Sequence, residues 1–143
     1  MNKTFLLVLA SSFIFAEVDY NHPELNWHSF ETDHFKIHFH DETEMTAREA
    51  ATVAEVIYPH ITSFYEFEPK DKTHLILIDP DDYSNGAAYY YDNKIMIWAS
   101  PLDFELRGSH RWLQNVITHE FAHIVSLQKS MKAGTKIPGA YLQ

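Results

Sequence analysis

The chain contains no cysteine, so no disulfide can staple it and no thiolate can hold a metal. Any metal it takes must bind through imidazole or oxygen donors. Cations are scarce too: 11 lysines and arginines stand against 20 aspartates and glutamates, a formal net charge of −9. With no basic cluster anywhere, nucleic acid is excluded as an expected partner. No internal repeat or low-complexity segment breaks the chain. The apolar run from Thr4 to Ala16 falls well short of the ~20 residues that cross a bilayer as a helix. No glutamate follows Glu120, an absence that bears on the site below.

What is present supports one folded domain. Forty-five per cent of the 143 residues are apolar and 15% aromatic, enough for a single sizeable core. The ten histidines would offset part of the negative charge in mildly acidic surroundings. The Thr4–Ala16 run follows Lys3 and precedes Glu17, the pattern of a secretory signal cleaved after Ala16. Residues 1–16 are therefore expected to be a signal peptide. Residues 17–143 are expected to act outside the cytoplasm as a periplasmic, secreted or cell-surface protein, with no transmembrane segment in the mature chain.

The remainder reads as an α+β fold. Trp27 to Thr32 is extended, and from His34 to His40 the residues Phe35, Ile37 and Phe39 alternate with Lys36, His38 and His40. The polar face of that strand reads as solvated. A weaker reading has the exposed histidines of the strand from His34 to His40, which are His34, His38 and His40, sequestering a metal. A long helix follows, with Asp41 as N-cap and Glu44 in capping-box position, and Pro59 is expected to kink or divide it. His74 to Ile78 reads as a central strand covered on both faces. Ala87 to Tyr91 and Lys94 to Trp98 read as a hairpin turning at Asp92-Asn93. Last comes a helix from Ser109 to Lys129, with loop from Gly134 to Gln143.

That last helix carries His119-Glu120-Phe121-Ala122-His123. Histidines four apart on a helix project from one face, about 6 Å apart, and both can reach one zinc ion. Glu120 is placed to act as general base on a water held by that ion. A buried structural pair of histidines is the competing reading. It would leave polar groups unsatisfied at about 1–3 kcal/mol each.

With HEFAH in this setting, behind a signal sequence, an αβ segment and a hairpin, the chain resembles the N-terminal part of gluzincin-type zinc metallopeptidases. The likeness is greatest to the bacterial peptidase-MA-like proteins, some of which continue into a β-propeller. The resemblance covers most of Trp27 to Lys129. It implies a zincin-like subdomain, a small mixed sheet with a hairpin edge packed against a long helix and the HExxH helix. It also implies Zn2+ held by His119 and His123, Glu120 as the catalytic base, and a peptide or protein substrate laid along the hairpin edge. Metzincins are excluded, because Ser126 and Lys129 stand where that subclass has glycine and histidine. A gluzincin takes its third ligand from a later glutamate, and none follows Glu120, so the chain is expected to be truncated at its C-terminus and inactive by itself. The alternative is a noncatalytic extracellular binding module, or an inactive zincin-like domain of a larger surface protein.

Overall fold

Period-two alternation builds the sheet. In the computed structural model, which describes residues 24–79, 85–98 and 112–132, strand β1 (Trp27–Glu31) pairs antiparallel with β2 (Phe35–His40). Phe35, Ile37 and Phe39 are buried on one face of β2. Strand β3 (Thr73–Ile78) adds parallel to β2 and β5 (Lys94–Trp98) parallel to β3, while β4 (Gly86–Tyr89) closes the edge antiparallel to β5. The order β1-β2-β3-β5-β4 puts β3 at the centre of a five-stranded mixed sheet. The fold is α+β, as expected.

Two helices cover one face. α1 (Glu44–Tyr65) lies over β2, α2 (Trp112–Lys132) lies over β4 and β5, and the helices pack on each other. Ala47, Ala50, Ala51 and Ala54 are buried along α1, and their small side chains allow close approach. Into that space α2 sends Phe121, whose ring centroid lies 5.2 Å from Phe35 and 5.5 Å from Tyr58. Ile117, Ile124 and Val125 are fully buried beside it. Each such apolar side chain contributes about 1.5–3 kcal/mol of transfer free energy.

Several expectations are corrected. Asp41 is not the helix cap: it lies in a 3-10 turn, Asp41–Thr43, whose start is closed by the Thr43 hydroxyl accepting from the His40 N–H at 3.1 Å. The Asp41 carboxylate instead accepts from Asn26 at 3.1 Å and bonds His28 at 2.6 Å, contacts that lower its pKa. Pro59 does not divide α1. It is exposed, and buried Ile57, Tyr58 and Thr62 anchor the helix on either side of it. Met45, Val56 and Phe64 lie on the exposed side of α1, not in its core.

The hairpin turn spans four residues rather than two. Strand β4 ends at Tyr89, the Asp92 N–H donates to the Tyr89 carbonyl at 3.1 Å, and Asn93 takes the left-handed conformation with φ 50°. The polar face of β2 is solvated only in part: His34, Lys36 and His38 are half-buried, and His40 is buried. Strand β3 is central, but His74 and Ile76 are only half-buried, so its outer face is not fully covered. The expected signal peptide, the proposed Ser109 cap and the loop from Gly134 to Gln143 lie outside the described residues. Among the described residues no helix is long and apolar enough to cross a membrane.

Candidate functional site

On α2 the apolar residues Val116, Ile117, Phe121, Ile124 and Val125 turn inward, which leaves His119 and His123 on the exposed side. The buried structural pair is thereby overturned: both rings reach solvent. Their Nε2 atoms are 3.0 Å apart, with ring centroids at 4.6 Å and planes at 85°. That offset brings the two nitrogens toward a common point instead of along one line. Two imidazoles so arranged can occupy adjacent positions around one ion with N–metal distances near ~2.0–2.1 Å.

Glu120 points elsewhere. It is 8% exposed and sits under edge strand β4. A Cβ built on Gly86 would stand 3.0 Å from Glu120 Cγ, 3.1 Å from its Oε1 and 2.3 Å from Val116 Cγ2. Gly86 is needed here for space, because a side chain would push the strand off the helix. Its absence of a Cβ keeps the backbone of β4 against the Glu120 carboxylate.

The structure thus pairs His119 with His123 on the exposed side of α2, while Glu120 lies under β4. It does not bring a third donor: among the described residues no group of three or more histidines, aspartates and glutamates lies close enough to hold a metal. The strand histidines diverge. His34 bonds Glu55, Nδ1 to Oε2 at 2.7 Å, and stacks on Tyr58 at 3.7 Å between centroids. His40 packs edge-on to Trp27. His38 meets His74 of β3 at 2.9 Å. Burial first, then His74 and Lys36, hold the His38 imidazole below its ordinary pKa.

A cleft of about 960 Å³ lies not at the paired histidines but beside α1, lined by His34, Glu55, Tyr58, Glu66, Phe67 and Glu68. Burial raises the Tyr58 hydroxyl pKa, helped by Glu68 and Glu55. Volume alone makes no chemistry, and the α2 site is preferred because its donors converge. Of the three tyrosines of the hairpin, Tyr89 lies under Lys94 at 5.0 Å, Tyr90 packs against the core, and Tyr91 is exposed.

Sequence reasoning missed Gly86, which reads as a loop residue after Ser84-Asn85. The signal was the run of small residues Gly86-Ala87-Ala88 inside a strand, the pattern that permits close packing. No family model and no curated protein matches this chain.

Proposed function

We propose that this chain is the zinc-binding, base-carrying part of an exported gluzincin-type peptidase with a zincin-like core. The observation that carries the reading is the convergent pair of exposed Nε2 atoms, 3.0 Å apart, on the helix whose Glu120 lies under β4, the edge strand of the sheet among the described residues. Two nitrogens with this geometry and exposure fit two positions of a zinc shell. Bound there, zinc would supply the Lewis acidity that makes a water acidic near neutral pH.

The chain's own residues supply the rest. Glu120 accepts the proton that a water loses as its oxygen attacks the peptide carbonyl. It then returns that proton to the nitrogen released when the C–N bond breaks. Strand β4 is the last strand of the sheet, and its outer edge offers backbone groups to a peptide laid alongside as an added strand. Small residues at Gly86, Ala87 and Ala88 keep that edge close to Glu120.

A third donor is required, and nothing after His123 in this sequence is Asp, Glu or His. The reading requires that donor to come from outside the described residues. The test is peptide hydrolysis by the full-length protein, with Glu120→Gln as control. Hydrolysis that needs zinc and falls by about 10²–10⁴-fold in the control is expected. Equal hydrolysis by the control, or a full-length protein that binds no zinc, overturns the proposal.

A further inference from the structure

The face of the sheet away from the helices carries a charged row. Glu31, Lys36, His74, Lys94 and Tyr89 stand opposite one another across all five strands. One step along, the row reads Ser29, His38, Ile76, Met96 and Ala87. His38 and His74 are therefore diagonal neighbours on adjacent parallel strands. Their nearest ring nitrogens, Nε2 of His38 and Nδ1 of His74, are 2.9 Å apart, and the ring planes differ by 21°.

The centroid separation of 5.0 Å is close to the largest that a 2.9 Å nitrogen contact permits. The rings lie nearly in one plane with those two nitrogens facing each other. This is hydrogen-bond geometry. It differs from the offset, crossed rings of His119 and His123, with centroids at 4.6 Å and planes at 85°.

We propose that His38 and His74 form a proton-operated clasp between β2 and β3: it is closed in the neutral pair, stays closed with one added proton, and is released by the second. In the neutral pair one imidazole donates its N–H and the other accepts. One added proton leaves a charge-assisted N–H···N bond in place. A second leaves two N–H groups facing each other with no acceptor between them.

The surroundings make that second proton costly. Lys36 on β2 and Lys94 on β5 both stand directly opposite His74. Ser29, opposite His38 on β1, carries no charge. The nearby carboxylates are committed elsewhere: Glu31 bonds Lys72 at 2.9 Å and faces Lys36 at 3.7 Å, and Asp92 pairs with Lys94 at 3.1 Å. Tyr89 lies beneath the Lys94 ammonium. His40, two residues on in β2, is buried with no hydrogen-bond partner on its Nε2 and offers no anion. Two imidazolium rings would stand beside two ammonium groups at the centre of the sheet. Acid should therefore loosen the β2–β3 seam before the β3–β5 seam, which carries no such pair.

Nitrogen NMR of the whole chain with ¹⁵N-labelled histidine tests the clasp without any substitution. A scalar coupling between His38 Nε2 and His74 Nδ1 is expected at neutral pH, and its loss is expected in acid as the second proton enters. Over the same range, amide exchange at Lys36, His38, Leu75 and Leu77, whose N–H groups face the β2–β3 seam by alternation from Thr73, should quicken, after correction for intrinsic rates, about tenfold more than at Ile95 and Ile97. In His74→Phe, which keeps a ring but no nitrogen, both the coupling and the selective acid step should vanish. Absence of coupling at neutral pH, or equal acceleration in all three strands, overturns the proposal. These readouts involve neither zinc nor peptide cleavage, so they are independent of the peptidase reading.

Discussion

Gly86 of β4 and Glu120 of α2 are packed so closely that one methyl group on Gly86 would reach 3.0 Å from the Glu120 side chain and 2.3 Å from Val116. The edge strand and the helix that carries Glu120 are thus fitted through a missing side chain. Gly86→Ala is expected to destabilise the fold by about 1–3 kcal/mol in urea unfolding, because a packed interface must move. Val116→Ala in the same chain should recover part of that loss. If the double variant is no more stable than Gly86→Ala alone, the 2.3 Å clash is not the cause.

Phe121, the residue after Glu120, joins Phe35 of β2 and Tyr58 of α1 in one aromatic contact. Phe121→Ala should cost about 3–5 kcal/mol, since it removes a fully buried ring from between two helices and a sheet. Thermal or urea unfolding measures it. A loss below 1 kcal/mol would mean that α2 is not seated as described.

Asn93 ties the hairpin to its surroundings. Its Nδ2 donates to the carbonyls of Asp71 and Lys72, and its Oδ1 accepts from Thr73 and from Gln128 of α2. Its φ of 50° also suits asparagine or glycine. Asn93→Ala loses both contributions and should be the least stable variant. Asn93→Gly, which loses only the hydrogen bonds, should fall between it and the parent. Equal stability of the two variants would show that backbone conformation contributes nothing there.

Glu55 holds the entrance to β2 by bonding both the backbone N–H of His34, at 2.9 Å, and its ring, at 2.7 Å. Burial raises its pKa, but the hydrogen bonds from His34 and Thr32 together outweigh that, and the carboxyl sits below its ordinary value. A lowered carboxylate pKa means the unfolded chain binds protons first as acid is added. The stabilisation is complete above the ordinary value of 4.5 and is lost as pH falls through the lower native value. The parent should exceed Glu55→Gln by about 1 kcal/mol near pH ~6, and the gap should close toward pH ~3. A gap independent of pH would contradict the assignment.

The parts legible in the sequence are those written at short range. Alternation in Phe35–His40 fixed which side of β2 is core, helical spacing set the buried side of α2, and the four-residue spacing in HEFAH put His119 and His123 side by side. The rest depends on residues far apart in the chain. His38 and His74 are separated by 36 positions, and His34 and Glu55 by 21, so neither pairing has a local signature. The histidines of β2 read as one row on a strand, yet each finds a different partner because different elements pack against each. Pro59 misled for a related reason: tertiary packing of Ile57, Tyr58 and Thr62 carries α1 past a residue that local rules treat as a break.

The proposal that His119 and His123 jointly hold zinc is tested most directly by calorimetric titration of the chain with Zn2+, alongside His123→Ala and Glu120→Gln. The account predicts a zinc site in the parent, at least about tenfold weaker binding in His123→Ala, and near-parent affinity in Glu120→Gln, whose carboxylate is a base and not a ligand. Undiminished zinc binding in His123→Ala would contradict it.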